Sequence, residues 1–158
     1  MAEWKIEGLR ELNQRFKYLG QDMRFRGGRF ALRKAANLVR DEAKVLARRV
    51  DDPSTGRVIA DNIGVRWSGK HFRRTGDLMF RVGVLGRNRL MGSNPDEGAG
   101  GATPHWHLLE RGTEKMKAQP FLRPAGENNT QAITAEFTKQ YQKSIERALR
   151  RVRAGRGR

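Results

Sequence analysis

The sequence predicts an α+β fold, an antiparallel sheet of about three to five strands packed against two long helices, with a short N-terminal helix and a long mobile loop. Three observations lead there. Apolar residues recur at helical spacing over residues 29–50 and again over 127–153. They alternate over 58–67 and 80–85, the rhythm of strands. Residues 87–103 carry almost nothing that could be buried. At 158 residues the chain is long enough for one sizeable core and too short for two comfortable ones. Residues 1–153 are therefore read as one domain, with 154–158 as a basic disordered tail.

Trp4, Lys5 and Ile6 alternate ahead of Gly8 and suit a short strand. Leu9, Leu12, Phe16 and Leu19 then fall at spacings of three and four, placing an apolar stripe opposite Arg10, Gln14, Arg15 and Lys17 on a helix that Gly20 ends. Arg24, Arg26 and Arg29 surround Gly27 and Gly28, a composition read as a solvated joint ahead of a phosphate contact. From Arg29 the helical rhythm is strongest, through Leu32, Ala35 or Ala36, Val39, Ala43, Leu46 and Val50. Its small alanines permit close approach of a neighbouring element, while Arg33, Lys34, Arg40, Lys44 and Arg48 stay outside. Asp51, Asp52, Pro53, Ser54, Thr55 and Gly56 are turn formers and breakers, so this helix should stop near Val50.

Val58, Ile59, Ile63, Val65 and Trp67, and then Phe80, Val82 and Val84, predict two antiparallel strands. Further strands are expected at Trp4 and in the Leu108 region. Lys70, His71, Phe72, Arg73 and Arg74 lie between the two strands and have the composition of a stacking and phosphate contact; a solvated hairpin loop is the reading preferred. In a compact domain, a loop as long as 87–103 is functional or disordered. The last helix should run from about Glu127 to Arg153, with Ile133, Phe137, Tyr141, Ile145, Ala148 or Leu149, and Val152 as its stripe.

The segment His105 to Ala125 is the most specific in the chain. Trp106, Leu108 and Leu109 form an apolar knot that continues into Glu110, Arg111, Gly112 and Thr113, where the glycine can take a left-handed conformation and end the preceding element. Pro120 and Pro124 fix φ on either side of Phe121, Leu122 and Arg123, which reads as a rigid extended strap before a helix. Pro124 also suits the first turn of a helix.

Glu-x-Gly-Thr at Glu110, Gly112 and Thr113, followed by Pro-Phe-Leu-Arg-Pro-Ala at 120–125, resembles the small tail-component family of long-tailed double-stranded DNA bacteriophages. Ile6-Glu7-Gly8-Leu9 with Glu11-Leu12, the Ala35-Ala36 pair, Glu42-Ala43-Lys44, and Thr55-Gly56 before Ile63 follow the same family order. The resemblance implies a structural subunit of the neck or tail-completion assembly. Such a subunit is part of a ring, six-fold like the tail tube, that joins the capsid connector to the tail. The implied partners are further copies of the chain and the neighbouring connector and tail proteins. The implied location is the virion neck, after assembly in the host cytoplasm. On this reading Glu110, Gly112 and Thr113 shape a turn. Pro120, Phe121, Leu122, Arg123 and Pro124 latch the last helix to the sheet or to an adjacent subunit, Phe121 and Leu122 being equally suited to the chain's own core. Arg123 is the candidate for a salt bridge with Glu110.

Composition leaves a second reading open. A net charge of +16, from 33 Lys and Arg against 17 Asp and Glu, draws the chain to polyanions or acidic protein surfaces. Arg147, Arg150, Arg151, Arg153, Arg156 and Arg158 concentrate that charge at the C-terminus. A basic nucleic-acid-binding protein is the alternative, and it predicts affinity that falls steeply with salt. A conduit through which DNA slides should not grip it, so on the ring reading these arginines face acidic neighbours or the outside of the ring and meet DNA only in passing. Without cysteine there is neither disulfide nor Cys-ligated zinc. No apolar run approaches the ~20 residues of a membrane span, nor is there a leading signal segment, so a soluble chain made where it works is expected.

No enzyme, cofactor or metal is expected. His105, His107 and Glu110 could in principle hold an ion. The two histidines, however, share a face only on a strand, and His107 and Glu110 only on a helix, so no single regular structure aims all three inward. The chain also lacks a G-x-S-x-G elbow, a phosphate-cradling Gly-Lys-Ser/Thr loop and an acidic two-metal cluster.

Overall fold

Four alanines on one face of a helix set the architecture. The computed structural model of the chain describes residues 20, 22–51, 58–85 and 103–154. The strand expected at Trp4, the helix expected from Leu9 to Leu19, most of the turn after Asp51, the loop over 87–102, and Arg156 and Arg158 lie outside them. Helix α1 (Gly28–Val50) buries Ala31, Ala35, Ala43 and Ala47, with Val39, Leu46 and Val50 partly buried beside them. Side chains no larger than a methyl let a neighbouring backbone approach closely. The neighbour is α6 (Thr130–Arg153), which presents buried Ala148 and half-buried Ile133, Phe137, Tyr141 and Ile145.

The two long helices run antiparallel. Near the start of α1, Gly27 backs onto Ser144 and Tyr141, and the Arg147 guanidinium lies 5.5 Å from the Phe30 ring centre. Farther along, Ala43 and Ala47 share a core with Phe121 and Ala125, which precede α6. This corrects the solvated joint expected at Gly27 and Gly28. Both are buried in a continuous helix, a π-helical stretch Asp22–Gly27 running straight into α1. A Cβ at Gly27 would collide with the Ser144 side chain, so glycine is there for closeness and not for flexibility.

After α1 come a single turn α2 (Ile59–Asn62), β1 (Ile63–Trp67), α3 (Gly69–Thr75) and β2 (Phe80–Val84). The strands pair antiparallel, Ile63 opposite Val84, Val65 opposite Val82 and Trp67 opposite Phe80. With a side-chain period of two, those pairs occupy one face, while Gly64 opposite Gly83 and Arg66 opposite Arg81 occupy the other. The apolar face belongs to the core side, where Ile63, Val82 and Val84 join the cluster of Ala43, Ala47, Ile59, Ala60, Phe121 and Ala125.

Of the expected three to five strands, the described residues show two. Val58 and Ile59 read as strand because they are β-branched, yet Ile59 opens a helical turn, because the Asp51 carboxylate accepts its N–H at 2.9 Å and that of Ala60 at 3.4 Å. The Leu108 region is likewise helical, in α4 (Trp106–Arg111). The basic stretch between the strands is the helix α3 and not an open loop. Phe72 anchors it, with ring centres 5.5 Å from Trp67 and 5.6 Å from Phe25, and Gly76 ends it at φ 76°.

The strap before the last helix is not extended throughout. It enters α5 (Leu122–Glu127), and α6 starts only at Thr130, after a break at Asn128 and Asn129. Thr103, expected as the last residue of the mobile loop, is 2 % exposed and accepts a hydrogen bond from Asn62 Nδ2 at 3.1 Å, two buried polar groups satisfying each other.

Candidate functional site

Eleven to thirteen residues separate Glu110 from the backbone amides that its carboxylate holds. Glu110 Oε2 accepts the N–H of Phe121 at 2.8 Å and of Leu122 at 3.0 Å, and Oε1 accepts that of Arg123 at 3.0 Å. A helix leaves its first N–H groups without intrahelical partners. In α5 those donors belong to Leu122 and Arg123, and the next position is Pro124, which has no N–H to satisfy. One carboxylate therefore completes the start of the helix, and its negative charge suits that end. Because the strap's donors are met this way, its second half turns helical at Leu122 instead of staying extended.

The intervening loop is shaped to bring the two halves together. Gly112 ends α4, its N–H donating to the Leu108 carbonyl at 2.7 Å. Its φ of 78° and ψ of 175° fall in a region that is essentially glycine-only. A Cβ there would stand 2.8 Å from the Ala118 nitrogen and 3.0 Å from the Met116 oxygen, backbone atoms that cannot swing aside. Thr113 closes a turn with Met116, whose N–H reaches Thr113 Oγ1 at 3.1 Å, and Gln119 donates to the Leu109 carbonyl at 2.8 Å. Gly112→Ala should cost about 2–3 kcal/mol, strain plus displacement of residues 116–118, read as a lower midpoint in urea unfolding with an unchanged slope.

Phe121 is fully buried within the chain's own core, and Leu122 packs partly buried against the same cluster. Pro120 and Arg123 are exposed and Pro124 is half-buried. Arg123 meets Glu110 through its backbone N–H; among the described residues no ion pair joins their side chains. His107 Nδ1 donates to the Pro104 carbonyl at 2.6 Å, and both Glu110 oxygens are taken by amides, so these groups serve the backbone. Among the described residues no group of three or more His, Asp or Glu side chains is placed to hold an ion.

Among the described C-terminal arginines, Arg147 and Arg150 are engaged separately. Arg147 covers Phe30 and donates to the Lys143 carbonyl at 3.1 Å, while Arg150 lies 3.8 Å from Glu146. Arg151 and Arg153 are exposed on the last turns of α6. The sequence reading reaches Glu110 across the loop only to the Arg123 side chain and gives Asp51 only a turn; what it missed is that both carboxylates take backbone amides, at spacings that match no local capping box.

No curated protein and no solved structure matches the chain. Residues 10–112, more than half of the chain, match a family of phage tail components; the match takes in Glu110 and Gly112 and stops before the strap they hold. No described helix is long and apolar enough to cross a membrane. On that match, the chain belongs to the family described as "Bacteriophage HK97-gp10, putative tail-component".

Proposed function

We propose that the chain is a structural subunit of the neck or tail-completion assembly, one member of a ring that joins the capsid connector to the tail while the virion is built. Its family membership carries this reading, since a tail component belongs in the virion and works through contacts. The site supports it in a second way. Glu110, the residue best suited to acid–base or metal chemistry in the motif, spends both oxygens on backbone amides, which is a structural use. Exposed Phe30, Leu38 and Val45 on α1 and Leu149 on α6 offer apolar contact area to neighbours. The ring is six-fold, matching the tail tube, and its neighbours are connector and tail proteins.

The test is the mass of the purified chain in solution at low and high salt, with and without duplex DNA. A closed ring whose mass ignores DNA is the expected result. A monomer that forms salt-sensitive complexes with DNA would contradict it and favour a nucleic-acid-binding protein, because such complexes release counterions from phosphate.

A further inference from the structure

The outer face of the β1–β2 ribbon carries a charge arrangement that works against the fold. Arg66 and Arg81 are both exposed and stand directly opposite each other in the antiparallel register. Like charges in that position destabilise a strand pair. Neither has a carboxylate partner among the described residues. Lys70, Arg73 and Arg74 are exposed on α3, which closes the same end of the ribbon, and the acid in that connection is Asp77. A sheet that keeps two opposed arginines breaks a rule of strand pairing, and proteins break such rules where another function needs it.

The floor beside the pair is apolar. Period-two alternation puts Gly64, Gly83 and Leu85 on the arginines' face, and Leu85 lies over Gly64, 3.2 Å from where a Cβ would stand, while the space above Gly83 is open. We infer that this face docks an acidic surface of a different protein, whose carboxylates enter between Arg66 and Arg81 while its apolar groups meet Leu85. A phosphate backbone has no use for the apolar floor, whereas arginine beside an apolar patch is the composition of a protein interface. The half-buried aromatic rings nearby also leave little face for stacking bases, since Trp67 packs on Phe72 and Phe80 and is covered by the Arg29 guanidinium at 4.4 Å. A second copy of the chain, with 17 acids against 33 bases, offers this face few carboxylates, so contacts between copies are assigned to other surfaces.

This partner class rests on the assembly reading for where it is met, but its test uses the purified chain alone, so either can fail without the other. Poly-L-glutamate and a short duplex DNA serve as probes, on the unaltered chain, on R66A/R81A, and on a control, K139A/K143A, that removes equal charge from α6. Affinity for polyglutamate should fall about tenfold in R66A/R81A and less than about twofold in the control, with duplex affinity lowered alike in both. Equal loss of polyglutamate in the two variants would reduce the effect to net charge and overturn the site. A larger loss for duplex than for polyglutamate would make the face a phosphate-binding one. Folding is checked by R81E, which turns the repelling pair into an attracting one; its melting temperature should rise at low salt and lose the gain at high salt, and a fall would contradict the repulsion.

Discussion

Phe121→Ala is expected to destabilise the chain by about 3–5 kcal/mol, enough to remove much of the stability of a domain this size. Phe121 is the largest fully buried side chain among the described residues, at 0 % exposure, and it belongs to the core cluster that draws on several elements of the chain. Ala43 and Ala47 of α1, Ile59 and Ala60 of α2 and Ile63 of β1 all lie in its cluster. The alanines among them are too small to move in and fill a lost ring, so a cavity should remain. Chemical unfolding of the variant measures the loss. Phe121→Leu, which keeps most of the volume, should cost less than half as much.

Glu110→Ala should come next, at about 3 kcal/mol, since it strands three amide donors at once, two of them partly buried. For a chain of this length that corresponds to a melting temperature lower by about 10 °C. Glu110→Gln keeps one oxygen acceptor and the side-chain length but loses the charge and the second acceptor, so an intermediate loss is expected. If Glu110→Ala melted within about 2 °C of the unaltered chain, the carboxylate would not be what holds the strap, because three stranded donors cannot be so cheap.

The two effects share one cause. Glu110 sets where the strap turns helical, and that turn delivers Phe121 into the core and Ala125 against α1. From there the chain breaks at Asn128 and Asn129, where the Asn129 side-chain amide donates to the Ala125 carbonyl at 3.1 Å, and α6 returns along α1. A motif that looks like a site in the sequence is thus a joint between the sheet-and-helix part of the chain and its last helix. That suits a tail component, whose interfaces need a rigid surface more than a reactive group.

Elements with a strong period were legible. The rhythm from Leu32 to Val50 marked α1 and its end at Val50, because a helix with an alanine face must repeat at three and four, while its start was misplaced by the helix that runs into it from Asp22. Alternation at Val65, Trp67, Phe80 and Val82 marked the strand pair and its direction. In α6 the choice between Ala148 and Leu149 was open, and packing against α1 buries Ala148 while Leu149 stays 39 % exposed.

Short elements were not legible, because their conformation depends on partners distant in sequence. Ile59 and Ala60 would suit a strand if Asp51 did not accept their amides, and Leu122 would stay extended without Glu110. The Gly27–Gly28 pair misled in the same way. Glycine signals freedom until a neighbour, here Ser144 on α6, takes the space a side chain would need. At the motif, the residues were identifiable from their pattern. Their hydrogen bonds were not, since opposite charges pair Glu110 with the Arg123 side chain and give no sign that the carboxylate takes three backbone amides instead.

Amide hydrogen exchange at Phe121, Leu122 and Arg123 in the unaltered chain tests the joint most directly. First-turn amides of a helix have no intrahelical acceptor and normally exchange early. With the Glu110 carboxylate in place, the amides of Phe121 and Leu122 should exchange as slowly as those in the middle of α1, and that of Arg123 more slowly than the exposed loop residues Lys115 and Lys117. Exchange of all three at the rate of Lys115 and Lys117 would mean that the carboxylate does not hold them, and that Glu110 and the strap are separate features.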